Sequence, residues 1–243
     1  MGTEWPETAF PLDRARVQAA HLSLRDMPAR DTPFSPGAGW LDKAFGPDPV
    51  DLAGVPEFQH WTSSHMPMRW AALRVLTAAY PRGSCEDLRL AGPVTLDKGV
   101  IRVWPGDVHI DGNLVLDRKA RVVVLGTLTV TGALIAPPYG YSLVGARAIT
   151  CRDGVSAGEI LAAESVTCPG TFLLSRDTHT AMAPLFTGGT LVDYMWPARF
   201  THIDVTTRVT GGLDRIDHAA AERALGVHGD HLDDLFAAAL LRT

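Results

Sequence analysis

The stretch GDVHIDGNLVLDRKARVVVLGTLTVTGAL, residues 106–134, decides the fold because it contains one pattern twice. The two copies start at Gly106 and Gly126, which lie 20 residues apart. Further copies start at Gly145 and Ala162, after steps of 19 and 17 residues. A nearly constant period of about 20 residues predicts structural repeats that stack on one another.

Within each copy, apolar or small residues alternate with short polar residues. In the second copy, Leu128 and Val130 alternate with Thr127, Thr129 and Thr131. This period of two predicts strands with one buried face. Because each strand would pair with its equivalent in the next copy, we expect a mainly β fold, a short parallel β-solenoid. A right-handed winding is expected, as in other parallel crossovers.

Equivalent residues of stacked copies should form columns, with neighbours about 4.8 Å apart. The alignment predicts two buried columns and one outer column of small residues. The buried columns are Ile110, Val130, Ile149 and Val166, and Trp104, Val124, Leu143 and Ile160; the outer column is Thr129, Ala148 and Ser165.

A further predicted column places Gly112 and Gly132 over Cys151 and Cys168. Glycine that is needed for a positive φ would not be replaced by cysteine without strain, so this column indicates small inward side chains. The two cysteines would be close enough for a disulfide by Cα separation. We expect free thiols stacked in the core.

The same alternation turns Arg147 and Glu164 inward, where a lone charge would be very costly. A shielded ion pair between adjacent repeats would explain both residues. An opening towards another segment or a partner would also do so, as would a local bulge that reverses the orientation.

Helices are predicted on both sides of the repeats, where they can cover the open ends of the solenoid. Apolar spacing predicts helices over 12–25, 68–80 and 230–241. Another helix is predicted over 218–225, with Asp217 as its N-cap and Gly226 as its stop.

The residues after Ser175 lose the period, and loops are expected around Gly188 and Tyr194 before a short strand over 201–209. We therefore divide the chain into three parts of one structural unit. These are a helix-and-loop N-terminal cap over 1–87, β-solenoid repeats over 88–175 and a loop-and-helix C-terminal cap over 176–243.

Composition limits the function. The chain has 243 residues with 46% hydrophobic and 20% charged residues, as in a globular protein. Its net charge of −5 argues against nucleic-acid and membrane partners, which need a positive field. No apolar run approaches the length of a membrane span, and no signal peptide is visible. Three cysteines do not make a disulfide framework, so we expect a cytoplasmic protein.

Motifs that carry chemistry are not found: the chain has no GxGxxG, Walker, GxSxG, HExxH or CxxC motif in a suitable context. His228 and His231 with nearby aspartates could suggest a metal cluster, but helix capping explains the aspartates. Asp177 with His179 could be an acid–base pair, although nothing supplies a nucleophile or a cleft. We predict no catalytic residue, metal or cofactor.

Binding residues are expected in loops, which carry recognition in many folds. The loop at 136–141 combines two prolines with two tyrosines, and the segment at 194–197 contains further aromatic residues. The candidate binding residues are Tyr139, Tyr141, Asp177, His179, Tyr194 and Trp196.

The repeats resemble those of bacterial β-solenoid proteins with motifs of the type LVVLGDLTVDGNL, a style that also occurs in bactofilin-like polymer-forming proteins. The resemblance covers residues of about 100–180. It implies a protein-binding solenoid, such as an immunity-type protein that neutralises a cognate toxin. A bactofilin-like scaffold, with possible homo-oligomers, is an alternative. A carbohydrate-active β-helix enzyme is another, although bulky carboxylates are rare among the outer positions of the repeats.

Overall fold

The computed structural model describes residues 4–7, 9–25, 50–55, 58, 66–136, 141–156, 158–175, 181–195, 199–212 and 217–242. A mostly parallel β-sheet winds into a solenoid of about five turns, and helices flank it on both sides in the chain. The predicted mainly β fold with helical flanks is confirmed.

Four α-helices and one short 3-10 helix are described. The α-helices are α1 (Arg14–Arg25), α2 (Met66–Ala79), α3 (His218–Leu225) and α4 (Leu232–Leu240), and the 3-10 helix is Leu52–Gly54. The helix predicted over 218–225 has the predicted bounds. Asp217 accepts from the N–H of Ala220 as its N-cap, and Gly226 ends it in the left-handed conformation. The other predicted helices differ at their ends by up to two residues.

Ten strands follow one another in the chain. They are β1 (Leu88–Ala91), β2 (Val94–Leu96), β3 (Ile101–Trp104), β4 (Val108–Asp111), β5 (Leu114–Leu116), β6 (Arg121–Ala136), β7 (Leu143–Ser156), β8 (Glu159–Ser175), β9 (Ala181–Met195) and β10 (Arg199–Gly212). Their pairing is parallel throughout.

The long strands β6 to β10 each make one turn with three faces. In β6, successive segments pair with β3, then β4, then β5. We call these segments face 1 (121–125), face 2 (127–131) and face 3 (133–136), and the segments that pair with them belong to the same faces. The inside of the solenoid is filled by one apolar cluster, to which all three faces contribute.

The loops predicted around Gly188 and Tyr194 are wrong, because both residues lie in β9. β9 pairs with β8, and β10 pairs with β9, so the solenoid continues beyond Ser175 to Gly212. Gly188 lies at a corner, where an added Cβ would overlap the carbonyl oxygen of Cys168 in the preceding turn. Glycine therefore marks a close backbone approach within the strand.

The predicted column of Ile110, Val130, Ile149 and Val166 is also wrong. Ile110 lies opposite Val130, and Ile149 opposite Val166, but Val130 lies opposite Cys151. Two register shifts in β6 shorten the step to β7 from 22 residues, where Arg121 faces Leu143, to 20 residues, where Ala133 faces Asp153. The residue opposite Val130 thus moves by two positions, from Ile149 to Cys151, and both of these side chains point inward.

The same register shifts explain why the other predicted columns are only partly right. Trp104 does lie opposite Val124, and Ala148 opposite Ser165. The other predicted neighbours are wrong. In the second buried column, Val124 faces Ala146, Leu143 faces Glu159 and Ile160 faces Val144. In the outer column Ala148 faces Thr127, and in the glycine and cysteine column Cys151 does not lie over Gly132.

Helices cover two of the three faces. On face 1, outward residues such as Val123 and Leu125 pack against Trp70, Leu73 and Leu76 of α2. Burial of one such side chain contributes about 1.5–3 kcal/mol.

On face 3, Ile135 and Val155 pack against a cluster that includes Leu232 and Phe236 of α4 and Ala221 of α3. The described helices of the two flanks therefore lie against the sides of the solenoid, and none of them packs on face 2.

Candidate interaction face

Face 2 presents a column of four threonines. Thr129 lies opposite Thr150, Thr150 opposite Thr167, and Thr167 opposite Thr187, and all four are half-buried. We call the outward residues of face 2 in β6 to β9 the threonine face. They are Thr127, Thr129, Ala148, Thr150, Ser165, Thr167, Leu185 and Thr187.

Strand geometry explains why these residues share one side. Leu128, Ile149, Val166 and Phe186 alternate with them and are fully buried inside the solenoid. Threonine suits such a surface because its β-branched side chain is stiff and packs well on a pleated strand. The hydroxyl oxygens of Thr167 and Thr187 lie 3.1 Å apart, within hydrogen-bond distance.

Charged residues lie at the two ends of this face. At its start, Nε2 of His109 lies 2.7 Å from Oδ1 of Asp111. At its end, Asp204 of β10 lies opposite Thr187, and His202 lies opposite Leu185. The middle of the face therefore offers neutral hydroxyl groups, each of which can donate and accept a hydrogen bond.

An open groove of about 330 Å³ borders the threonine face where face 2 meets face 3. Asp111, Asn113, Thr131 and Arg152 contribute to its lining. The guanidinium of Arg152 also donates to Oδ2 of Asp153 at 2.8 Å. The groove thus has one acidic and one basic side chain at its margin.

Carboxylates and amides at the corners bind the backbone of the next turn. Asp107 accepts from the N–H of Thr127 at 2.6 Å, and Asn113 from the N–H of Ala133 at 2.8 Å. Asp153 accepts in the same way from the next turn, at 2.9 Å. These side chains satisfy N–H groups that the corners release from the ladder, so they have a structural role.

Arg147 and Glu164, which the alternation turned inward, lie outside the solenoid beneath the C-terminal end of α2. The Arg147 guanidinium donates to the carbonyl oxygens of Leu125 at 3.1 Å, of Tyr80 at 2.7 Å and of Thr77. It thereby satisfies carbonyl groups at the end of a helix, where a cation is favourable.

A bulge accounts for this orientation. The pairing of β7 with β8 shifts between Ala146 and Ala148, and both Ala146 and Ile149 belong to the inner cluster. The third explanation from the sequence, a bulge, is therefore confirmed. An ion pair also forms, with 3.3 Å between Nη1 of Arg147 and Oε1 of Glu164, but it is not shielded as predicted, because Glu164 is 48% exposed.

A buried ion pair fixes the start of α2 to the solenoid. Nη1 of Arg69 donates to both carboxylate oxygens of Glu159 at 2.9 Å, and each side chain is 2% exposed. Burial raises the pKa of Glu159, while the charge and hydrogen bond of Arg69 oppose that rise. At the next residue of the helix, Nε1 of Trp70 donates to the carbonyl oxygen of Ala162 at 2.9 Å.

On the opposite side, a hydrogen bond fixes α4 to face 3. Oγ of Ser175 donates to Oδ2 of Asp233 at 3.0 Å, and both residues are buried. Asp233 is thus used in the packing of α4 on face 3. The aspartates near His231 do not converge on this histidine. Within the described residues, no group of three or more His, Cys, Asp or Glu side chains could hold a metal ion.

The two inner cysteines are free and fully buried. Sγ of Cys168 donates to the carbonyl oxygen of Arg152 at 3.3 Å. The hydrogen bond with Cys168, together with burial, raises the pKa of the Cys151 thiol well above its ordinary value.

The sequence-predicted binding residues are only partly described. Tyr141 is 43% exposed and adopts a φ of 50° just before β7. The backbone of Tyr194 lies in β9, opposite Ser175 and Gly211. Tyr139, Asp177, His179 and Trp196 lie outside the described residues.

Sequence reasoning placed the binding residues in loops and missed most of the threonine face. Thr129, Ala148 and Ser165 were expected on an outer surface, but Thr150, Thr167 and Thr187 were not combined with them. The signal was present as the apolar–threonine alternation of each turn. Prediction of the correct columns would have required the positions of the bulges.

The chain matches no protein-family model, no curated protein and no solved structure. None of the helices described above is long and apolar enough to cross a membrane. The resemblance of the repeats to bacterial β-solenoid proteins therefore stays an expectation, and the fold carries the functional argument. A β-solenoid supports a repeat-protein, protein-binding kind of function.

Proposed function

We propose that this chain is a non-catalytic protein-binding solenoid that recognises its partner through the threonine face. The observation that carries the proposal is the unequal covering of the three faces. The chain's own helices pack on faces 1 and 3, whereas no described helix packs on face 2. What remains is a regular surface held on rigid strands, which suits recognition.

The chemistry of this face favours a polar partner surface. Threonine hydroxyls both donate and accept, and their β-branched side chains lose little rotamer freedom on binding. The carboxylates at the corners already bind backbone N–H groups, which leaves few groups for acid–base chemistry on this side. The proposal therefore assigns binding, without catalysis, to the face.

The partner that we propose is a bacterial toxin, with this chain as the immunity-type protein that covers its active site. The net charge of −5 would speed association with a basic toxin, such as a nuclease, through complementary charge. The likeness of the repeats to those of immunity-type solenoid proteins supports the same assignment.

Co-expression with the products of neighbouring genes tests this function. We expect one product to copurify with the chain and to inhibit growth when it is expressed alone. The double variant Thr150→Arg/Thr167→Arg should weaken binding by at least about tenfold, because bulky charges would hold the two surfaces apart. Growth protection should fall with it.

The matched control is Thr95→Arg, an exposed threonine of β2 that lies outside the threonine face. This variant should bind and protect as the unmodified chain does, and all variants should keep the same melting temperature. Binding that is unchanged in the double variant would refute the role of the face. Failure of every neighbouring product to bind would refute the immunity role.

A scaffold that assembles with itself is the second candidate, and the observation that favours it is the outer edge of β10, which pairs with no other strand among those described. Open-ended assembly would give filaments or a continuous series of masses in sedimentation experiments. A single small species would exclude that function.

A further inference from the structure

At the last described turn of the solenoid, inward residues are partly exposed to solvent. Phe200, Ile203 and Val205 of β10 point inward and pack on the inner cluster, yet all three are only half-buried. Phe186, which faces Ile203 from β9, is fully buried. Burial is therefore lost within one turn, which shows that no described element covers this end.

The backbone edge of β10 is open as well. This strand has 14 residues and pairs with β9 alone among the described strands. Its sequence, RFTHIDVTTRVTGG, contains neither proline nor lysine, and its pairing with β9 has no register shift. Proline, lysine and bulges are among the devices that keep edge strands from pairing, and β10 has none of the three. An inward-pointing charge is another such device. Nη2 of the inward Arg208 lies 3.9 Å from Oδ2 of Asp193 in the same chain, so this charge is already paired and the edge can accept another strand.

The opposite end of the solenoid is built differently. Its outermost strands, β1, β2 and β3, have three or four residues each, and a turn at Gly92, whose φ is 86°, separates β1 from β2. Trp5 packs into the core cluster and is 2% exposed. A short, interrupted edge does not match the continuous edge of β10, so head-to-tail stacking is disfavoured.

We propose that two copies of this chain associate end to end through antiparallel pairing of their β10 strands, as a closed two-fold dimer. This contact would supply the missing backbone hydrogen bonds at each edge. It would also remove the half-buried residues Ile203 and Val205 of both copies from water.

The inward and outward order of side chains limits the possible registers. Val205 points inward and Asp204 outward before the corner of β10, whereas after it Arg208 points inward and Val209 outward. With the two-fold axis at this corner, near the middle of the strand, inward residues of both copies meet when residue 205 lies opposite residue 208 of the second copy. The two-fold axis then passes between residues 206 and 207.

Charge is compatible with this register. Val205 faces Arg208 of the second copy, Asp204 faces Val209, and His202 faces Gly211. No like charges lie directly opposite each other, which is the arrangement that destabilises a strand pair. Each contact occurs twice in a two-fold dimer, so one substitution acts at two places.

Two substitutions of Val205 test both the dimer and its register. Lysine at position 205 would lie opposite Arg208 of the second copy, whereas glutamate would form an ion pair there. We expect Val205→Lys to raise the dimer dissociation constant by at least about tenfold. Val205→Glu should leave the constant unchanged or lower it.

Sedimentation equilibrium from about 1 μM to about 300 μM measures these constants over the range of weak and moderate association. The unmodified chain should approach twice 26.1 kDa at high concentration. Thr95→Lys, at an exposed position of β2 at the opposite end of the solenoid, is the control and should behave as the unmodified chain. Circular dichroism and thermal unfolding should show the same fold for all four proteins.

Three outcomes would overturn the proposal. The first is a monomer throughout this concentration range. The second is an equal effect of Val205→Lys and Val205→Glu, which would place the contact in another register or on another surface. The third is a mass that grows beyond the dimer, as open-ended assembly would give. None of these results bears on binding through the threonine face, which is tested with different variants.

Discussion

At the scale of single residues, Arg69 and Glu159 decide how α2 is held on the solenoid. Both side chains are 2% exposed, and one guanidinium nitrogen binds both carboxylate oxygens. Removal of one partner from such a pair leaves a buried charge without compensation. The charge of Arg121 also acts to lower the pKa of Glu159 and is a smaller influence than the charge and hydrogen bond of Arg69.

The variant Arg69→Met should lower the free energy of unfolding by about 3–5 kcal/mol at neutral pH. The loss should shrink as the pH falls. Burial already raises the pKa of Glu159 above its ordinary value of 4.5, and loss of Arg69 would raise it further. Between the unfolded and folded pKa values the folded state binds more protons, so its relative stability rises with falling pH.

Urea unfolding at about pH 7.5 and about pH 5 would measure this difference. Arg82→Met is the matched control, because Arg82 and Glu164 are 56% and 48% exposed. Loss of the Arg82 guanidinium should lower the free energy of unfolding by less than about 1 kcal/mol at either pH. A loss for Arg69→Met that does not change with pH would contradict the role given to the Glu159 carboxylate.

At the scale of elements, the corners between faces depend on glycine. Gly132 lies where a Cβ would overlap Oδ1 of Asn113 and approach the carbonyl carbon of Gly112 to 2.7 Å. Gly145 lies in a strand beneath α2, where a Cβ would be 3.7 Å from a methyl group of Leu73. The added Cβ at Gly132 would meet fixed backbone of Gly112, whereas the added Cβ at Gly145 would make ordinary packing contacts.

Gly132→Ala should therefore lower the free energy of unfolding by about 1–3 kcal/mol, as overpacking does. Gly145→Ala should change it by less than about 0.5 kcal/mol, since the added methyl group makes ordinary packing contacts and stiffens the unfolded chain. Denaturant unfolding of both variants measures the contrast. Equal effects would show that the corner is free to relax around an added side chain.

The same corners mark where prediction from the sequence ended. Alternation within one turn correctly placed Val130 inward and Thr129 outward, since it depends only on strand geometry. Helix α3 was predicted to the residue, because Asp217 and Gly226 act locally. The stacking of one turn on the next was not predicted correctly, because bulges near Gly126 and Gly132 change the number of residues per turn without a unique sequence signal.

For the candidate site as well, the local pattern was predicted from the sequence, whereas the tertiary packing was not. A polar outer surface follows from the threonines of each turn, but which face stays open depends on where distant helices pack. Arg147 illustrates the point: its partners Thr77 and Tyr80 lie about 70 residues earlier in the chain, at the end of α2. No local pattern could have shown that this arginine caps a helix.

At the scale of the whole molecule, the solenoid core should open only by extensive unfolding. Cys151 and Cys168 lie in neighbouring central turns and are fully buried, whereas Cys85 is half-buried in the turn before β1. A reagent can reach the two inner thiols only after adjacent turns separate. The raised pKa of Cys151 also keeps its thiol protonated, which is the unreactive form.

We therefore expect one of the three cysteines to react quickly with a thiol reagent such as 5,5′-dithiobis(2-nitrobenzoate), and two to react slowly. The slow rate should rise with urea concentration as steeply as global unfolding does, because both report the same opening. The Cys85→Ser variant should lose the fast phase and keep the slow one. Slow-phase rates that do not depend on urea would mean that single turns open locally, and the solenoid would then behave as a stack of independent units.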